Sequence, residues 1–106
     1  MAVPSKEIAA IRVARALGDP TRFRLLKAIA ARAESSCLEL TARVGLAQAT
    51  VSHHLKVLSE AGLVSVRRAG AFHLYRLHPE ALAEHGEALA RTFAPPRRRV
   101  RERRAA

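Results

Sequence analysis

His53 and His54 stand side by side in "QATVSHHLKVLSEAGLV", residues 48 to 64, and imidazoles serve equally as metal ligands and as hydrogen-bonding groups. Three further side chains carry comparable chemistry: the thiol of Cys37, and His78 and His85, which flank "PEALAE" with Glu84 beside the latter. A transition-metal site needs three or four convergent ligands. Residues 78 and 85 lie about 10.5 Å apart along a helix, so one ion cannot be shared by both within a subunit, although two facing subunits could bring such groups together. Successive helical residues point about 100° apart, which prevents His53 and His54 from acting as an i, i+4 metal pair and Ser52 and His53 from forming a catalytic dyad. Cys37 is the single cysteine of the chain and so has no partner for an internal disulfide. Its spacing with Leu40 and Val44 marks a structural, core-facing thiol, with a redox-active thiol as the second reading.

The elements that hold these residues follow from local signals. Residues 6 to 17 contain no Gly or Pro and read as a helix with Ile8, Ile11 and Leu17 among alanines. "GDPTRFRLLKAI" restarts a helix, with Asp19 as N-cap and Pro20 in the first helical position. Ser36 and Glu39 form an S-x-x-E capping box for a third helix that Gly45 stops. A tight turn leads to a fourth helix, residues 48 to 60, closed by Gly62; together these two make a helix-turn-helix. The period then changes: "LVSVRR" and "FHLYRL" bracket "AGA" as two strands of a hairpin with Gly70 in the turn. Residues 79 to 93 form a last helix carrying Leu82, Leu89 and Phe93 on one stripe. The expected fold is mainly α with a small β-hairpin, a winged helix-turn-helix of five helices plus wing. Residues 1–94 are expected to form one domain, and residues 95–106 a disordered Arg-rich tail.

Composition narrows the partners. The chain has 106 residues, 19 Lys plus Arg against 9 Asp plus Glu, and a formal net charge of +10. Such a surface attracts polyanions, nucleic acid first among them. Arg97, Arg98, Arg99, Arg101, Arg103 and Arg104 crowd the end, however, so the folded part is only mildly basic. No apolar run reaches the roughly 20 residues of a membrane span, and the first residues do not read as a secretory signal. A cytoplasmic protein without a cofactor is expected. Gly-rich phosphate loops, paired acidic motifs and nucleophile elbows are missing from the sequence, which argues against an enzyme.

On the fourth helix, Leu55 and Leu58 fall within about 40° of Val51 and define the buried stripe. Ala49, Ser52, His53 and Lys56 lie opposite, with Gln48 at the edge of that face. Small and hydrogen-bonding residues there suit base edges and phosphates in a major groove; the competing reading is a merely solvated face. His53, about 200° from Val51, becomes a DNA-contacting group. His54, about 60° away, borders the stripe and is expected to cap the core or pack against the wing.

"ALGDPTRFRLLKAI", "ELTARVGLAQATVSHHLKVLSEAGLV" and "RRAGAFHLYRL" together resemble the winged-helix regulators of the ArsR/SmtB type, over about residues 12 to 90. The resemblance implies a cytosolic homodimer that joins through its terminal helices, binds a palindromic operator in double-stranded DNA, represses transcription and leaves DNA when an inducer binds. It places Gln48, Thr50, Ser52 and His53 on groove- and phosphate-contacting positions, and Arg67, Arg68 and Arg76 on the wing. Ile8, Ile11, Leu82, Leu89 and Phe93 are the expected dimer residues. Ala47 departs from the family's usual Ser or Thr and leaves the fourth helix without a side-chain cap. Neither familiar metal site is matched. The thiolate positions are Ser36 and Leu38, with Glu39 at the acidic one, and the last-helix positions are Pro79, Ala81, Thr92 and Pro95. No metal ligand set is therefore expected, and the inducer is unidentified. The alternatives are a winged helix that binds RNA or acts as a protein adaptor, and an activator of the same fold.

Overall fold

Local capping chemistry sets most of the boundaries in the computed structural model, which describes residues 3–97. Helix α1 (Ser5–Leu17) ends at Gly18, and α2 (Pro20–Ala30) begins two residues later. Asp19 Oδ2 accepts the Arg22 backbone N–H at 2.9 Å, and Pro20 fills a position that needs no amide partner. Strand β1 (Ser35–Ser36) runs directly into α3 (Cys37–Val44), where the capping box is complete. Ser36 Oγ accepts from the Glu39 N–H at 3.1 Å, and Glu39 Oε1 accepts from the Ser36 N–H at 2.8 Å. Gly45 closes α3 in the left-handed conformation, φ 71°, and its N–H returns to the Thr41 carbonyl.

Helix α4 (Gln48–Glu60) starts at Ala47, which supplies no side-chain cap. Strands β2 (Val64–Ala69) and β3 (Phe72–Leu77) meet through Gly70 and Ala71. Only Gly70 of this pair has positive φ, 61°, the pattern of a type II′ hairpin turn. Helix α5 (Pro79–Thr92) completes the described elements.

The wing is larger than the hairpin the sequence suggests. β1 adds to β3, with Ser35 opposite Tyr75 and Ser36 opposite Leu74, and the antiparallel sheet has the order β1-β3-β2. Two serines show no hydrophobic alternation to mark a strand. Ser36 moreover serves two elements at once, because the extended backbone of an N-cap (φ −81°, ψ 165°) also suits a strand end.

The core is aliphatic and continuous. Val13 of α1, Leu25 and Ile29 of α2, Leu40 of α3, Val51, Leu55 and Leu58 of α4, and Leu63 behind it are sealed from solvent. Truncating any of these leucines to alanine costs about 2–5 kcal/mol. Cys37 is half-buried and packs at the edge of this core, with its Sγ 4.0 Å from Thr41 Oγ1. Arg43 fastens α3 in place: it donates to the Ala28 carbonyl at 3.0 Å and to Ser35 Oγ, and so links α3, the end of α2 and β1. Arg24 donates to the Val44 carbonyl at 3.2 Å and covers the exposed end of α3.

Helices α1 and α5 pack together away from the sheet. Their outer surface carries Ile8 and Ile11, 44% and 49% exposed, with Phe93 at 78% just past α5. Leu89 is half-buried, and Leu82 is half-buried where it packs against the core. Among the described residues, no helix is long and apolar enough to cross a membrane. Residues 98–106, most of the expected tail, lie outside the described residues.

Candidate nucleic-acid interface

Helix α4 is held by Val51, Leu55 and Leu58, all fully buried, which turns the opposite face outward. Gln48, Ala49, Thr50, Ser52, His53 and Lys56 are all exposed on it. The structure thus brings the six expected α4 residues to the surface, with the small and hydrogen-bonding ones in the first two turns. Ala47 leaves the first-turn amides of α4 without a side-chain acceptor, so the positive end of the helix dipole is open beside Gln48 and Thr50.

The wing arginines divide by face. Residues directly opposite in an antiparallel pair share a face, and successive residues alternate. Val64, Val66 and Arg68 therefore share one face with Leu77, Tyr75 and His73; Tyr75 and Leu77 pack against the core, which fixes this as the helix side. Arg67 and Arg76 lie on the other. There Arg67 makes a bidentate pair with Glu34, Nε to Oε2 at 2.6 Å and Nη2 to Oε1 at 2.8 Å. The hydrogen bonds from Arg67 hold the Glu34 carboxyl below its usual range, and Glu34 in turn raises Arg67. Arg67 is thus already committed, whereas Arg68 makes no ion pair among the described residues and stands opposite His73 near the hairpin tip.

His73 was not singled out by the sequence reading. The sequence suggests "AGA" between the strands, but Ala69 belongs to β2, and the resulting two-residue turn sets the register and hence the Arg68–His73 pairing.

The two adjacent histidines part as the helical geometry requires. His53 is exposed, while His54 is half-buried, and their ring centroids are 5.6 Å apart. His54 Nδ1 lies 3.4 Å from Nη1 of Arg22, at the corner between α1 and α2. Burial is the main influence that lowers its pKa below the ordinary value; Asp19 opposes this and Arg22 adds to it.

The remaining chemistry-bearing residues are dispersed. His78 bridges the end of the wing to the loop after α4, with its backbone N–H on the Leu63 carbonyl at 2.8 Å and Nδ1 3.2 Å from the Gly62 carbonyl. His85 lines a separate groove of about 370 Å³ between α1 and α5, with Ser5, Lys6 and Glu84. Among the described residues, no three of His, Cys, Asp and Glu gather where a metal ion could be held.

A buried core drawn from α1 to α4, an exposed second helix of the motif and a sheet projecting beside it define a winged helix-turn-helix module. A helix-turn-helix domain family model matches residues 17–67. The arsenic resistance transcriptional regulator ArsR1 of Pseudomonas putida is 44% identical over 68 residues, which make up 64% of this chain and 53% of that protein. The chain thus spans about half the length of that relative. A biofilm growth-associated repressor of Agrobacterium fabrum is 37% identical over 97 residues, covering 89% of this chain and 82% of the repressor. An ArsR-like transcriptional regulator from Rhodococcus sp. RHA1 superposes with a TM-score of 0.78 at 27% identity, over 86% of this chain and 85% of that one. The chain belongs to the ArsR/SmtB-type family of helix-turn-helix transcriptional regulators.

Proposed function

We propose that two copies of this chain bind a palindromic operator in double-stranded DNA, repress the adjoining genes in the cytoplasm and leave the operator when an inducer binds. The observation that carries this reading is the outward face of α4, where Gln48, Thr50, Ser52, His53 and Lys56 are exposed over a helix whose other face is fully buried. Gln48, Ser52 and His53 present donors and acceptors suited to base edges, and Lys56 a charge suited to phosphate. Arg68 and His73 extend the contact from the wing, with Arg76 on its other face.

Dimerisation follows from Ile8 and Ile11. Two branched aliphatic side chains, each about half exposed on one helix of a small domain, gain by burial against their symmetry mates. Phe93 and Leu89 continue that surface from α5. The arginines of residues 95–106 add sequence-independent attraction to phosphates.

Selection of binding sites from a random duplex pool tests the reading. The wild type should recover an inverted repeat with half-sites about one helical turn, or a multiple of it, apart. His53→Ala and Ser52→Ala should each lower affinity for that site by about 1–3 kcal/mol and relax base preference while the dimer stays folded. Recovery of the same sequence with undiminished affinity by both variants would place the reading surface elsewhere.

A further inference from the structure

We infer that Arg22 and His54 form a positioning pair that holds α4 at its working angle to α1 and α2, and that a proton on His54 releases it. This inference rests on the DNA-binding reading of α4. Arg22 is anchored on three sides. Its Nε donates to the Ala16 carbonyl at 2.9 Å, its Nη2 to the Arg15 carbonyl at 3.2 Å, and its backbone N–H to Asp19 at 2.9 Å. These contacts place the guanidinium at the C-terminal end of α1, where a cation complements the helix dipole, and leave Nη1 aimed at His54 on α4. A single planar group carried by the first turn of α2 therefore touches both the end of α1 and the recognition helix. Because His54 directly follows His53, a shift of α4 that breaks the Arg22 contact also moves the DNA-facing side of the helix.

As a hydrogen bond, the 3.4 Å contact requires one protonation state. A guanidinium has donors only, so Nδ1 of His54 must offer a lone pair and the ring must be neutral with its proton on Nε2. A second proton would put an N–H against the Nη1 hydrogens and two like charges 3.4 Å apart. The charged and titratable groups around the ring are Asp19 and Arg22 from the corner and His53 from α4 itself. The α1 carbonyls of Ala16 and Arg15 at this corner are bonded to Arg22, and the Arg15 side chain is exposed to solvent. Burial, Arg22 and His53 all favour the neutral ring, and Asp19 alone opposes them. The pair is thus closed at neutral pH and opens below the ordinary histidine range.

The test compares the wild type with His54→Asn, whose amide oxygen stands where Nδ1 stood and accepts from Arg22 without titrating. Affinity for the selected duplex is measured from about pH 7.5 down to about pH 5.5, with folding followed by circular dichroism. Wild-type affinity should fall by about tenfold on acidification, the scale of one lost hydrogen bond to a charged group. His54→Asn should hold its affinity within about twofold over the same range. An equal acid loss in both proteins would overturn the proposal, as would a wild type whose affinity holds or rises. The imidazole nitrogen shifts of the free wild type decide the contact independently of DNA and of whether His54→Asn folds. An Nε2–H tautomer with a bare Nδ1 at about pH 8 supports the pair, and an Nδ1–H tautomer rejects it. If the wild type selects no sequence at any pH, the DNA-binding reading fails, and the nitrogen shifts still decide the pair.

Discussion

Replacing Ala47 by Ser supplies the one helix start of the motif that lacks a side-chain cap. The backbone there already has N-cap geometry, φ −66° and ψ 145°, and the residue is exposed, so a hydroxyl can be added without strain or burial. Its oxygen would accept from the N–H of Ala49 or Thr50, and a cap of this kind contributes about 1 kcal/mol. For a domain of this size that raises the melting temperature by about 4–8 °C. Ala47→Asp should do at least as well in the absence of DNA, because a carboxylate at a helix start adds about 0.3–1 kcal/mol from the dipole. The two variants should separate once DNA is present. The serine leaves the charge of the contact face unchanged, whereas the aspartate puts a negative charge beside phosphates and lowers affinity for every sequence alike. Thermal melts at one fixed protein concentration, paired with binding to specific and random duplexes, give both quantities. If neither variant melts higher than the wild type, the first-turn amides of α4 are already satisfied and the reasoning from Ala47 is wrong. If aspartate and serine bind DNA equally well, that helix end does not meet phosphate.

Glu34→Gln removes the charge that holds Arg67, so affinity for non-specific DNA should rise and its salt dependence steepen by up to about one phosphate contact, read from binding across a salt series. Asp19 and Glu39 accept backbone N–H bonds that hold both carboxyls below their ordinary values of 3.8 and 4.5. Their contribution is therefore fully present above those values and is lost as pH falls from them through the lower folded ones; urea midpoints should drop over that window, and Glu39→Gln should make the drop shallower. Ile8→Glu combined with Ile11→Glu should leave the exposed face of α1 folded and give monomers by sedimentation, while persistent dimers would move the interface off this face.

What the sequence discloses here is what neighbouring residues decide between themselves. Asp19 with Pro20, Ser36 with Glu39, and Gly45 and Gly70 each act within a few positions, and the helices and the hairpin turn formed where these residues placed them. The exposed face of α4 was legible for a related reason, since a regular helix converts spacing directly into direction. The less legible features join residues far apart in the chain. β1 exists because Ser35 and Ser36 meet Tyr75 and Leu74, and nothing in two serines announces that partner. Glu34 and Arg67 are 33 positions apart, and Arg22 and His54 are 32. Angular reckoning placed His54 at the margin of the core but could not say which neighbour it would meet, because that depends on how α2 crosses α4.

The short reach of β1 has a mechanical consequence. Hydrogen bonds brace β3 on both edges only beside Tyr75 and Leu74, while His73 and Phe72 pair on one edge alone. The wing is thereby a cantilever, clamped at its root by β1 and by the Glu34–Arg67 pair and compliant toward Arg68 and Gly70. A compliant tip can follow grooves of different width at little elastic cost, but it gives up conformational entropy when it settles. Lengthening β1 would trade that tolerance for a tip already set to one groove shape.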